Sequence, residues 1–187
     1  MNIPPALATR DDWYQFSTRD GLLVRVRPEE EGDTPYLVDL FNRLSADSRY
    51  LRFSKSMVDP DPERVRAEAE RLAHLGPPQE MAWLAFADLP DQSNAPVGGV
   101  RYGMNGPDSA ELAISVRDDL QRRGIGSELL KFACAQARQQ GIRTLTALFR
   151  SENKAIWALV RHSPFPATTV VNGSEISLTI DLSGDPA

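Results

Sequence analysis

Apolar and polar residues alternate in several short segments of the chain, which is the pattern of half-buried strands. In the first of these segments, Val24 and Val26 fall on one side and arginines on the other. Asn172 and Gly173 form the strongest hairpin signal, between the last two segments. The predicted strands cover residues 22–27, 81–87, 97–104, 110–116, 142–149, 167–171 and 174–182. They predict a sheet of about seven strands, and the turn-rich stretch 89–96 predicts a hairpin connection within it.

Apolar residues spaced three and four apart predict about four helices around this sheet. The helices cover residues 33–44, about 62–75, 127–140 and about 152–162. Gly141 closes the third as a C-cap, and residues 45–53 predict a turn or a short helical segment. With no internal repeat or linker, residues 21–182 predict one domain, between an N-terminal arm at 1–20 and a tail at 183–187.

Composition excludes several classes of protein. The 187 residues are 41% hydrophobic and 25% charged, as in a globular protein with one sizeable core. A net charge of -5 argues against nucleic-acid binding. No apolar run approaches the roughly 20 residues of a membrane span, and the N-terminus has no secretion signal, so we expect a cytoplasmic protein. Two distant histidines and one buried cysteine, Cys134, predict no metal site and no disulfide.

A glycine-containing loop joins the predicted strand 110–116 to the third predicted helix. Its residues are Gln121, Arg122, Arg123, Gly124, Ile125, Gly126 and Ser127. The first amides of a helix have no backbone partner and lie at the positive end of the helix dipole, where a phosphate group satisfies both. Gly124 and Gly126 let the backbone approach such a ligand, and the two arginines add positive charge. The loop predicts a phosphorylated ligand, with a turn that merely caps the helix as the alternative.

Spacing excludes two common phosphate loops. A dinucleotide fingerprint requires a glycine where Leu129 stands, and the mononucleotide loop requires Gly-Lys-Ser/Thr. The sequence instead resembles the pyrophosphate loop of the GNAT superfamily of acyl-CoA-dependent N-acetyltransferases, Arg/Gln-x-x-Gly-x-Gly/Ala, which Gln121, Gly124 and Gly126 match. This resemblance extends to the order of elements over residues 21–182. It implies an α/β (α+β) fold with a mixed, mostly antiparallel sheet, and acetyl-CoA as co-substrate.

A narrower resemblance connects the chain to bacterial protein-lysine acetyltransferases of the Pat type. It depends on Arg43-Leu44-Ser45, on Ser48-Arg49-Tyr50-Leu51-Arg52-Phe53, and on Asp12-Trp13 with Arg19-Asp20-Gly21. In that group the domain is often joined to a cyclic-nucleotide-binding or acyl-CoA-synthetase-like region, for which this chain has no room. The resemblance implies a protein lysine as acceptor. A small amine or amino-acid derivative is the runner-up, and a CoA-binding regulatory module without activity is the alternative of another class.

The reaction requires a base, because an amine with a pKa of about 10.4 is mostly protonated at neutral pH. Glu111, at the beginning of the strand that leads into the glycine loop, is our candidate, and its position resembles that of the general-base glutamate in Pat-type enzymes. We expect the strand end to bury this carboxylate, which would make it more basic. A solvent-facing glutamate is the alternative, and Glu80 and Asp88 are weaker candidates.

Other site residues follow from the superfamily resemblance. The backbone of Ile114, Ser115 and Val116 would bind the oxyanion and the pantetheine arm if the strand parts from its neighbour there, whereas a regular strand would leave no free amides. Asn153 resembles an asparagine that contacts pantetheine, although a helix cap is equally compatible. Val160 stands where many members have a tyrosine acid, so the thiolate would leave unassisted.

Three basic residues in and after the Pat-like segment have two interpretations. Arg49, Arg52 and Lys55 form either a solvated surface or a basic rim for an acidic protein or the CoA 3'-phosphate.

The expected assembly is a monomer or a homodimer.

Overall fold

The computed structural model describes Pro4 and residues 12–186 and forms one eight-stranded sheet. The strands are β1 (Tyr14–Ser17), β2 (Leu23–Pro28), β3 (Glu80–Leu89), β4 (Gln92–Met104), β5 (Ser109–Val116), β6 (Thr144–Arg150), β7 (Ala167–Asn172) and β8 (Glu175–Asp181). Their order in the sheet is β1-β2-β3-β4-β5-β6-β8-β7. Only the pair β5–β6 is parallel. The mixed, mostly antiparallel sheet confirms the predicted fold class.

Five α-helices flank this sheet in the described residues. They are α1 (Thr34–Asn42), α2 (Ala46–Phe53), α3 (Pro62–Ala73), α4 (Ile125–Gln139) and α5 (Lys154–Arg161). Helix α4 packs against β4 and β5 on one face, where Leu129, Phe132 and Ala133 are fully buried. Helix α1 covers the other face, where its Leu40 packs with Leu84 and Phe86. Glycine ends α4 as predicted, since Gly141 adopts a φ of 80°.

The structure corrects several predicted boundaries. Residues 14–17 of the predicted arm form the edge strand β1, which raises the strand count to eight, while residues 1–3 and 5–11 of that arm lie outside the described residues. At residues 45–53, where a turn or a short helical segment was predicted, the helical alternative is observed: α2 begins at Ala46 because Ser45 caps it, its side chain accepting from the amide of Ser48.

The predicted connection 89–96 was also too long. Only Pro90 and Asp91 turn between β3 and β4, since Leu89 pairs with Gln92, and Pro96 lies in the strand beside a register shift. At the final hairpin, Asn172 pairs with Glu175 and belongs to β7, so the turn is Gly173 and Ser174.

Candidate active site

The glycine loop is fixed to the end of β5 by its first residue. The Gln121 side-chain amide donates to the Val116 carbonyl at 3.2 Å and to the Asp118 carboxylate at 3.0 Å. The Asp118 carboxylate also accepts from the amide of Ser45, at the beginning of α2. Gln121 therefore holds the loop against the end of β5 and, through Asp118, against the beginning of α2.

The loop then reverses its direction through left-handed backbone. Arg122 has a φ of 63° and Gly124 a φ of 103°, a conformation that glycine adopts without steric cost. An added Cβ at Gly124 would meet nothing within 4 Å, so its requirement for glycine is conformational. At Gly126 an added Cβ would lie 3.6 Å from Leu159 and 3.8 Å from Val116, which is ordinary contact.

Helix α4 begins without a side-chain cap. Among the residues that the structure describes, no side chain accepts from its first amides, and the first helical bond in the loop region is from the Glu128 amide to the Gly124 carbonyl at 3.1 Å. The amides of Ile125, Gly126 and Ser127 therefore precede the hydrogen-bonded part of the helix. This end of the helix has the free donors and positive dipole that an anion requires.

The two loop arginines differ. Arg122 is exposed, whereas Arg123 is only half-exposed and is 3.2 Å from the carboxylate of Asp20. The Arg123 carbonyl accepts from the amide of Arg19, so the β1–β2 connection supports the loop. Both arginines bring positive charge to the loop as predicted from the sequence, and the charge of Arg123 is paired with Asp20.

A contact between strand β1 and helix α4 was not predicted. The Tyr14 hydroxyl donates to Glu128 at 3.2 Å, and its ring stacks on Phe132 with 5.2 Å between centroids. Burial first, and then the Glu128 carboxylate, raise the pKa of Tyr14, which keeps the phenol protonated as a donor. Tyr14 is an aromatic residue in a segment that the sequence analysis assigned to an arm outside the domain.

Strands β5 and β6 part where the ligand arm was expected. Their pairing ends at Glu111 and Thr146, whereas β5 continues to Val116 and β6 to Arg150. On its other side β5 remains paired with β4 up to Val116. Ile114, Ser115 and Val116 therefore present a backbone edge to the gap, and the alternative of a regular strand between two partners is excluded.

Glu111 lies where the two strands part, but it is not buried. Its side chain is exposed, and the residues that the structure describes form no hydrogen bond or ion pair with its carboxylate. The expected burial was wrong because its cross-strand neighbours on this face, Gly103 and Thr146, have small side chains and leave it open to solvent. The carboxylate is therefore accessible to an incoming amine.

The two weaker base candidates are engaged elsewhere. Glu80 accepts from Arg101 at 2.7 Å, and Arg101 also binds Glu29 at 2.9 Å. Asp88 lies 3.2 Å from Arg25 and accepts from the amide of Asn94. Glu111 is the one of the three candidates that no cation pairs with in the described residues.

The remaining predicted residues lie at the beginning and end of α5. Asn153 is buried and caps this helix, since its side-chain oxygen accepts from the amide of Ile156 at 3.2 Å. Val160 packs against the main core, and Pro164 and Phe165 after the helix are buried. The capping interpretation of Asn153 is thus observed, while contact with a ligand arm stays a prediction.

Two further properties concern the described residues as a whole. No group of their histidine, cysteine, aspartate and glutamate side chains is arranged to hold a metal ion. None of their helices is both long and apolar enough to cross a membrane.

An uncapped helix behind a glycine loop lies next to two parallel strands that part, an arrangement that suits a phosphorylated ligand with an extended arm. Comparison with known proteins identifies the class. Residues 39–162 match the model of the acetyltransferase (GNAT) family, and the chain belongs to this family of acyltransferase enzymes. The family uses acetyl-CoA and transfers its acetyl group to an amine.

Individual relatives agree with this assignment. The chain is 29% identical over 147 residues to Acetyltransferase PA5475 of Pseudomonas aeruginosa, a match that covers 78% of this chain and 76% of that protein. The GNAT domain of S. lividans PAT superposes with a TM-score of 0.77 at 26% identity, over 90% of this chain and 96% of that one. A cAMP-binding acyltransferase from Mycobacterium smegmatis has the same fold, with a TM-score of 0.61 at 22% identity, and the match covers 92% of this chain and 48% of that one.

Proposed function

We propose that this protein transfers the acetyl group of acetyl-CoA to a primary amine, with a protein lysine as acceptor and Glu111 as general base. The observation that supports it most is the parting of β5 and β6 beside the uncapped beginning of α4. The first-turn amides of α4 would bind the pyrophosphate, and the open edge of β5 would bind the pantetheine arm as an added strand.

The chemistry is direct transfer. The amine nitrogen attacks the thioester carbon, Glu111 receives the amine proton directly or through water, and the C–S bond breaks to release the CoA thiolate. A backbone amide of Ile114, Ser115 or Val116 would stabilise the oxyanion that forms during the attack. With Val160 at the place of the usual acid, the thiolate leaves unassisted, which a thiol pKa of about 8.5 permits.

The likeness to the GNAT domain of S. lividans PAT supports the choice of acceptor, together with the Pat-like segment that forms α2. This segment lies over β6, where an acceptor would approach Glu111. A small amine that carries a carboxylate is the second candidate, because the Arg52 guanidinium has no acceptor among the described residues and lies within electrostatic reach of Glu111.

The test combines binding with turnover. Calorimetric titration of acetyl-CoA establishes the ligand, and release of the CoA thiol in the presence of lysine peptides and small amines establishes the reaction. Glu111→Gln should keep the Kd of acetyl-CoA and lower kcat by about 10²- to 10⁴-fold. The matched control is Glu70→Gln, the same change at an exposed site on α3.

Two outcomes would oppose the proposal. Absence of acetyl-CoA binding by the parent protein would remove the basis of the assignment. Binding without turnover on any amine would favour a CoA-binding regulatory role instead.

A further inference from the structure

Arg52, in the last turn of α2, is a cation without a partner. Among the residues that the structure describes, none accepts a hydrogen bond from its guanidinium or forms an ion pair with it, and its Nε is buried. Its guanidinium carbon lies 5.0 Å from the ring centroid of Phe53. A buried donor without an acceptor is rare in proteins, so a ligand group that accepts from Arg52 would remove the desolvation cost of this donor.

Two other charged groups near Arg52, Arg101 and Glu80, are already paired with each other. Arg101 binds Glu80 and Glu29, so these carboxylates have a cation. Burial first and then Arg101 lower the pKa of Arg52 to about 10, while Glu111 and then Glu80 oppose this change. Arg52 thus stays charged at neutral pH, and Glu111 is the free carboxylate in its surroundings.

The surface of the sheet between Glu80 and Glu111 has no side chain over it at Gly103. Gly103 pairs with Glu80 on one side and with Glu111 on the other, so it separates two carboxylates on the same face of the sheet. An added Cβ there would meet only the Gln79 carbonyl, at 3.9 Å. Helix α2, which contains Arg52, contacts β6, and β6 pairs with Glu111 through Thr146.

We propose that Arg52 binds a carboxylate of the acceptor while Glu111 receives the proton of its amine, so that the preferred acceptor carries a carboxylate close to the reacting amine. This inference rests on the proposed function and specifies its substrate. The positive charge of Arg52 complements a carboxylate of the acceptor, and the negative charge of Glu111 complements its ammonium group. An amine without a carboxylate would leave the charge of Arg52 without a partner in the complex. The chemistry has two sources, a free amino acid or an acidic side chain beside a lysine in a protein.

Two sets of probes distinguish the sources. The first set is two peptides that are identical except for the residue after the lysine, which is Glu in one and Gln in the other. The second set compares free amino acids with their α-amides. We expect kcat/KM to be about 10- to 100-fold higher for the carboxylate-bearing member of one set, as for a hydrogen-bonded charge. The set that discriminates identifies the source.

Variants at position 52 show whether Arg52 causes the preference. Arg52→Gln should remove it by raising KM for carboxylate-bearing acceptors alone, with the Kd of acetyl-CoA unchanged. Arg52→Lys, which keeps the charge without the guanidinium fork, should retain part of it and serves as the second variant if the glutamine variant unfolds. Lys55→Gln, an exposed site nearby with the same change of charge, is the matched control and should keep the full preference.

The outcomes separate this inference from the proposed function. Turnover without preference for carboxylate-bearing acceptors, or an equal loss with every acceptor in Arg52→Gln, would overturn the role of Arg52 and leave the acetyltransferase reaction intact. Acetyl-CoA binding without turnover of any probe would overturn the proposed function and this inference with it.

Discussion

Replacing each loop glycine separately by alanine tests how the glycine loop binds its ligand. Gly124 has a φ of 103° and free space around an added Cβ, whereas Gly126 is helical and its added Cβ would touch Leu159 at 3.6 Å. Left-handed backbone costs an alanine about 1–2 kcal/mol. In a helix, alanine is favoured over glycine by up to about 1 kcal/mol. The same substitution should therefore have opposite effects two residues apart.

For Gly124→Ala the strain has two possible expressions. If the loop keeps its conformation, the strain lowers the free energy of unfolding of the unliganded protein. Its Tm then falls by about 2–8 °C for a domain of this size. If the loop relaxes, acetyl-CoA binding must restore it, and the Kd rises by about 5- to 30-fold. Because nothing packs within 4 Å of the added methyl group, we expect the loop to relax and the Kd to show the larger effect.

Calorimetric titration with acetyl-CoA and thermal unfolding by circular dichroism measure both quantities. Gly126→Ala should raise Tm slightly and change the Kd by less than about twofold, since its methyl group fills an apolar gap. Gly124→Asn should bind more tightly than Gly124→Ala, because asparagine tolerates left-handed backbone. Equal weakening by alanine at both positions would refute the reasoning, since it would mean that any Cβ obstructs the ligand.

Three further results are expected. Asp33→Ala should lower the free energy of unfolding by about 3–5 kcal/mol in denaturant titration, because it leaves the mostly buried Arg27 without the partner that lies 2.6 Å away. Asp88→Ala, which removes an exposed ion pair with Arg25, should lower it by at most about 1 kcal/mol. Similar losses in the two variants would contradict this expectation. Cys134, whose pKa burial raises to about 12, should react with a thiol reagent only after denaturation, and fast labelling of native protein would refute its burial. Gln121→Ala should raise the Kd of acetyl-CoA while kcat at saturation stays unchanged, because its amide holds the loop rather than the reacting atoms; a fall in kcat alone would exclude this role.

Predictions from the sequence succeeded where the controlling residues are neighbours in the chain. The alternation around Val24 and Val26 depends on local spacing, and both side chains are fully buried in β2. The glycine loop was likewise predictable, because Gly124 directly precedes Ile125, the first residue of α4. The segment that forms α2 was placed correctly, and Ser45, its cap, decides for a helix rather than a turn.

Other features depend on segments that are distant in the chain. The edge strand β1 exists because Tyr14 and its neighbours pair with β2 and pack against α4, more than a hundred residues away. The ion pair of Arg123 with Asp20 joins the loop to the same hairpin. No periodicity within residues 14–20 contains this information, since it resides in the surface against which they pack.

The sequence by itself determined the class of fold, the order of most elements and the loop at which a phosphate group would bind, because each depends on local spacing, capping and glycine conformation. Only the tertiary structure decided where β5 and β6 part, that Glu111 is exposed beside them, and that Arg52 is left unpaired near it. These last features arise from three segments that meet across the sheet, and their burial and charge are set by the residues that surround them in space.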